Sequence, residues 1–284
     1  MSQENFSAEP LVPNFPLPRQ RAHSEPQIAA FFDLDNTLIR GASIYHLARG
    51  LYAKGVLGPS DLISYLVTQA KFQATGKENK SDFAKVAANT LSFVQDRSVA
   101  ELSALIDEIV KDVLADKMWP GTIELAEMHL AAEHEVWLVS ATPIELARAI
   151  ANRLGFTGAI ATESEIVDGN YTGKLSGSPL HGPAKAQAVS NLAKVRNLDL
   201  KNSYAYSDSA NDIPMLSLVG QVCVVNPDAQ LRNFALVNQW SIFDFKKEHV
   251  KEKYRKPVAT TAMAVIGAGA GIALAAISRS RKKT

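Results

Sequence analysis

The chain has 284 residues, of which 46% are hydrophobic and 21% charged, with a formal net charge of +1. These values fit a folded globular protein with one large domain or a core plus an insert, and they exclude binding to nucleic acid through overall basic charge. The single cysteine, Cys223, excludes an internal disulfide framework and fits a reducing compartment.

Residues 1–27 are polar and carry Pro10, Pro13, Pro16, Pro18 and Pro26. Such a stretch buries too little apolar surface to offset its ordering entropy and is expected to be a disordered tail. It lacks the basic-then-apolar pattern of a signal peptide, so the folded part is expected in the cytoplasm. The run Ile28 to Phe32 is short and continuously apolar, as in a buried strand. It leads into Asp33-Leu34-Asp35-Asn36-Thr37. At a strand end, residues i and i+2 project to the same side, so Asp33 and Asp35 stand side by side. Like charges at close range disfavour joint ionisation, and a divalent cation would offset that cost. A plain acidic turn has the same letters, so the rest of the chain must decide.

About eighty residues of helical periodicity follow, with segments expected over 42–56, 62–74 and 82–94. A fourth places Leu102, Leu105, Ile106, Ile109, Val110, Val113 and Leu114 on one helical face. Ser98 and Glu101 form a capping-box signature at its start. Inserted after the first strand, this block is expected over the strand's C-terminal end. Trp119-Pro120-Gly121 then marks a turn and 122–132 a helix. The run Glu135 to Val139 is a second buried strand, ending in Ser140-Ala141-Thr142-Pro143. Thr142 is expected as N-cap and Pro143 as first residue of a helix over 144–154. A strand that delivers the Ser140 hydroxyl to a helix N-terminus makes an anion site.

A short strand is expected over 157–162 and a hairpin over 165–173, turning at Asp168-Gly169 or Gly169-Asn170. Gly182 and Pro183 open a helix with Lys185 in its first turn, where a lysine opposes the helix dipole unless an anion meets it. His181 is expected to be a loop residue. A strand over 203–206 ends in Ser207-Asp208-Ser209-Ala210-Asn211-Asp212, which sets two acids four apart across a strand-to-helix turn. Residues 221–225 form another strand, Asn226-Pro227-Asp228 caps a helix to about Val237, and 240–243 adds an edge strand. Alternating strands and helices imply a doubly wound, Rossmann-like parallel α/β sheet with ligands outside the C-terminal strand ends. Residues 245–257 are a basic linker, 258–277 an uncharged run of spanning length containing Gly267 and Gly271, and 278–284 a basic tail. The run is expected to form an apolar helix that anchors the protein to membrane lipid, with a homodimer through the helix as a further possibility.

In this order, Asp33 to Thr37, Ser140, Lys185 and Asp208 with Asp212 resemble the four motifs of the haloacid dehalogenase superfamily of phosphohydrolases, over residues 28 to about 216. The insert between the first two motifs, with the Lys185 and Ser207-Asp208-Ser209 contexts, looks like subfamily IB, the phosphoserine-phosphatase-like group. The resemblance implies a catalytic core over 28–40 and 119–244 and an all-helical cap over 41–118. It implies Asp33 as nucleophile and Asp35 as general acid and base. Phosphate binding would fall to Ser140 and Lys185, with Thr37 orienting the loop and Asn211 touching the substrate. Mg²⁺ would be held by Asp33, the Asp35 carbonyl, Asp208 and Asp212. The implied reaction is hydrolysis of a small phosphorylated metabolite or lipid head group. Phosphoserine phosphatases place an acid shortly after the first motif, whereas Arg40 to Ile44 contains none, and Arg40 suits an anionic or zwitterionic substrate. The alternatives are a phosphoserine phosphatase proper and, from another class, a phospho-acceptor signalling domain that retains phosphate on Asp33.

Overall fold

The computed structural model of the chain describes residues 26–59 and 95–246. The expected helices over 62–74 and 82–94, most of the N-terminal tail and the apolar run over 258–277 lie outside the described residues. Among the described residues no helix is long and apolar enough to cross a membrane.

The first strand, β1 (Ala29–Phe32), is completely buried on both faces. Its alternation feeds two separate cores. Ala30 and Phe32 join Leu138, Tyr206 and Val225 on one face, and Ala29 and Phe31 join Val139, Ala205 and Val224 on the other. A sheet covered on both faces cannot show polar alternation, so its strands appear in the sequence as unbroken apolar runs. The remaining parallel strands are β2 (Glu135–Pro143), β3 (Gly158–Thr162), β6 (Tyr204–Ser207), β7 (Gln221–Val225) and β8 (Ser241–Phe243). The sheet order is β3-β2-β1-β6-β7-β8, and the hairpin β4 (Ser164–Val167) with β5 (Asn170–Leu175) stands apart from it.

The first core is covered by α1 (Ser43–Ala53), α2 (Val99–Ile109), α3 (Pro120–Ala131) and α4 (Ile144–Arg153). The second is covered by α5 (Pro183–Arg196), α6 (Ile213–Leu216) and α7 (Ala229–Val237). The doubly wound parallel architecture is therefore as expected. The strands that carry the acidic loops are locked by aromatic contact: Phe32 stacks on Tyr206 with ring centroids 4.2 Å apart, and the Tyr206 hydroxyl shares a 2.7 Å hydrogen bond with His129 of α3.

Several local expectations change. Strand β2 continues through Thr142 to Pro143, so Pro143 is the N-cap of α4 and makes no side-chain cap bond. The register against β3 shifts between Val139 and Pro143, and Thr162 Oγ1 donates to the Ala141 carbonyl at 2.7 Å. Pairing with β3 thus holds Thr142 extended, overriding its capping preference. Ser98 does occupy the N-cap of α2, but without a side-chain bond; the Val99 N–H instead donates to the Gly169 carbonyl at 3.0 Å. The α-helix stops at Ile109 and runs on as a π-helical turn (Val110–Leu114) and a 3₁₀ turn (Ala115–Lys117). At Gly50, an added Cβ would stand 2.4 Å from Ile109, so α1 and α2 approach too closely there for a side chain.

The segment between β1 and β2 leaves and returns through one narrow neck. Trp119 N–H donates to the Leu38 carbonyl at 2.9 Å, Arg40 N–H donates to the Lys117 carbonyl at 2.7 Å, and Ile39 bridges antiparallel to Met118.

Candidate active site

The site lies at the C-terminal ends of β1, β2 and β6, where a doubly wound sheet places its ligands. Asp33 is buried immediately after β1, and its N–H donates to the Tyr206 carbonyl at 2.9 Å. Lys185 projects from the first turn of α5 and is also buried. Its Nζ donates to Asp33 Oδ1 at 2.6 Å and to Asp212 Oδ2 at 2.8 Å. Gly182 makes this entry possible by adopting φ 53° as the N-cap, with Pro183 opening the helix. Thr37 Oγ1 donates to the other Asp33 oxygen at 3.0 Å, and Ser207 Oγ donates to Asp212 Oδ2 at 2.7 Å.

A second chain of hydrogen bonds joins Asp35 to Ser140. The N–H of Ser43, at the start of α1, donates to Asp35 Oδ1 at 2.6 Å. The Ser43 hydroxyl lies 3.0 Å from that of Thr142, and Thr142 N–H donates to Ser140 Oγ at 3.1 Å. Ser140 is buried. The sequence pointed to Asp33, Asp35, Thr37, Ser140, Lys185 and Asp212, and the fold brings all six into these two networks. Asp208 joins them through its electrostatic interaction with Asp33, Asp212 and Asp35. Asn211 is exposed, and its N–H donates to Ser209 Oγ at 3.3 Å within the loop.

Charge in the site is unbalanced. Burial raises Asp33 to about 7 despite Lys185, with Asp212 and Asp35 adding to the rise. Asp208 is raised to about 8 by burial and by Asp33, against the pull of Lys246. Asp35 is raised by burial, partly offset by its bonds from Ser43. For Lys185 burial works against the charged form, but Asp33 and Asp212 outweigh it and its pKa is raised. One buried ammonium thus bridges Asp33 and Asp212, two of the four carboxyl groups of the site. The deficit and the hard oxygen donors fit a divalent cation held by Asp33, the Asp35 carbonyl and Asp208. Among the described residues no three acidic, histidine or cysteine side chains converge so as to hold a metal ion between them. A cation that keeps several waters needs no more than one or two carboxylates.

Sequence reasoning missed Ser43, Thr142 and Ser207. Each is a small hydroxyl beside a recognised motif, and a serine at a helix start is so common that its type alone gave no signal. Arg40, expected to favour an anionic or zwitterionic substrate, donates through Nε to the Lys117 carbonyl at 3.4 Å and through Nη2 to the Asp116 carbonyl. It also lies 5.7 Å over the Trp119 ring, joining the two sides of the neck.

The haloacid dehalogenase-like hydrolase family model matches residues 30–217. A Mycobacterium tuberculosis protein named as a phosphoserine phosphatase is 49% identical over 254 residues, covering 89% of this chain and 82% of the relative. A probable phosphatase of the same organism is 32% identical over 268 residues, covering 94% and 90%. Among solved structures, a protein with unknown function from Bordetella pertussis Tohama I superimposes with a TM-score of 0.69 at 30% identity, covering 78% of this chain and 99% of its own.

The raised carboxyls make stability depend on pH. Asp33 and Asp208 sit above the ordinary 3.8 in the folded chain, so the unfolded chain releases these protons first as pH rises. Their contribution is full below about pH 4 and is lost as pH climbs through about 7 to 8. In chelator, the melting temperature is expected to fall between about pH 5 and about pH 8, and Asp208→Asn is expected to flatten that fall. A wild-type melting temperature that rises across this window would show the carboxyls are not held protonated.

Proposed function

The chain belongs to the haloacid dehalogenase-like hydrolase family and, with relatives named as phosphatases, is a phosphatase; we propose that it hydrolyses small phosphomonoesters, with Mg²⁺, through a phosphorylated Asp33. The observation that carries this reading is the Asp33 carboxylate, buried with one oxygen 2.6 Å from Lys185 Nζ and the other 3.0 Å from Thr37 Oγ1. A carboxylate fixed at both oxygens is oriented for attack before any substrate arrives.

In the first step an Asp33 oxygen attacks phosphorus, the ester P–O bond breaks, and the leaving oxygen takes a proton from Asp35. In the second, water attacks the acyl-phosphate, passes its proton to Asp35, and the bond between phosphorus and Asp33 breaks to release phosphate. Burial supports the protonated form of Asp35 that the first step requires, while the Ser43 N–H favours the carboxylate required next. Lys185 and the Ser140 hydroxyl hold phosphoryl oxygens. When bound, Mg²⁺ supplies charge neutralisation for phosphoryl transfer. Retention of a stable phosphate on Asp33 would favour the phospho-acceptor alternative; the placement of Asp35 for proton transfer supports turnover.

Asp33→Asn keeps the shape of the side chain and removes the nucleophile. Turnover of p-nitrophenyl phosphate is expected to fall on the order of 10⁴-fold or more while the circular dichroism spectrum is retained. Activity near wild type would overturn the mechanism.

A second reading, phosphoserine phosphatase proper, is favoured by the relative that is 49% identical. Against it, no acid stands between Arg40 and Ile44, and the Arg40 guanidinium is engaged at the neck. Phosphoserine is expected to be turned over with kcat/KM below about 10⁴ M⁻¹s⁻¹ in a panel with phosphoalcohols, sugar phosphates and lysophospholipid phosphates. A higher value would select the second reading.

Membrane association belongs to the same proposal and is supported by sequence alone. Residues 258–277 are uncharged, about the length that spans a hydrocarbon core, and flanked by basic clusters. The full chain should partition with membranes and a version ending at Lys256 should not; equal solubility of the two without detergent would remove the anchor, the lipid contact and the helix-mediated dimer together.

A further inference from the structure

We propose that Asn226 and Asp228 are positioning residues that hold the two acidic loops at the separation a divalent cation requires. The inference rests on the cation reading above and concerns residues outside the expected ligand set.

Asn226 follows β7 in a left-handed conformation, φ 49°, a region that asparagine tolerates better than most residues. The residue is 3% exposed, and its side chain reaches in two directions. Nδ2 donates to the carbonyl of Asn36, which lies between Asp35 and Thr37, at 3.4 Å. Oδ1 accepts from the N–H of Lys246 at 2.7 Å, and the Asn226 N–H donates to the Phe243 carbonyl at 2.7 Å. The first acidic loop is thereby tied to the end of β7 and to the chain leaving β8.

Two residues later, Asp228 holds the other acidic loop. Its N–H donates to the Asp208 carbonyl at 2.8 Å, and its Oδ2 accepts from Ala210 N–H at 2.8 Å. Oδ1 accepts from Leu231 N–H at 2.7 Å, which also makes Asp228 the N-cap of α7. A three-residue loop, with Pro227 at its centre, therefore grips Asn36 at one end and Asp208 with Ala210 at the other. This brace lies outside the carboxyl groups of the site and limits how far the two loops can separate. Partners beyond the ligands commonly set metal affinity in this way.

Two substitutions isolate the bonds. Asn226→Gly keeps the left-handed backbone available and removes both side-chain bonds. Asp228→Ser keeps a cap for Leu231 and gives up the second carboxylate oxygen that holds Ala210. Mn²⁺ binding is read by electron paramagnetic resonance of the free ion, with melting temperature in chelator measured alongside. Each variant is expected to weaken Mn²⁺ binding roughly 10–100-fold. A variant that binds Mn²⁺ within about threefold of wild type, even with a lower melting temperature, overturns the brace and leaves the cation reading standing. A wild-type chain that binds no Mn²⁺ overturns both. If circular dichroism shows that Asn226→Gly has not folded, Asp228→Ser, which retains its helix cap, decides the matter.

Discussion

The site depends on one buried ammonium. Lys185 Nζ lies 2.6 Å from an Asp33 oxygen and 2.8 Å from an Asp212 oxygen, with all three side chains almost wholly removed from water. A buried charge without its partner typically destabilises by about 3–5 kcal/mol, so neither carboxylate could be kept there without the lysine. The lysine in turn reaches them only because Gly182 and Pro183 start α5 at that point. Thr37 and Ser207 complete the arrangement by donating to Asp33 and Asp212, so that charge and hydrogen bonding specify one geometry together. The stacking of Phe32 on Tyr206 holds β1 and β6 in register just below.

What the lysine leaves unbalanced is as informative as what it neutralises. Asp33 and Asp208 are held well above the ordinary carboxylate range by burial, even with Lys185 and Lys246 acting the other way. A fold that served stability alone would replace such a group with apolar side chains. Strain of this kind is typical of places prepared to receive charge from outside. The arrangement also divides the hydrogen bonding: Lys185 and Thr37 fix Asp33, whereas Asp35 sits in a separate network with Ser43, Thr142 and Ser140.

Much of this was legible in the sequence because it is local. Two aspartates two residues apart at the end of an apolar strand must share a side, and a lysine in the first turn of a helix asks for an anion. Contacts between distant segments were not legible. Thr142 has the composition of a helix cap, yet pairing with β3 keeps it extended and places its hydroxyl against Ser43. Asp228 was readable as a cap because Leu231 is three residues away, but its grip on Asp208 and Ala210 depends on how β6 and β7 pair. Asn226 gave no signal beyond its suitability for a turn, since Asn36 and Lys246 meet it only in the folded chain. The neck was also hidden, because antiparallel pairing of 38–40 with 117–119 leaves no periodicity in either segment.

That neck has a topological consequence. Because the polypeptide departs and re-enters at adjacent positions, the loop-closure entropy of the whole excursion is met where Leu38 and Trp119 are bonded, outside the excursion itself. The excursion is consequently a cassette: residues could be gained or lost within it without shifting the register of β1 against its neighbours.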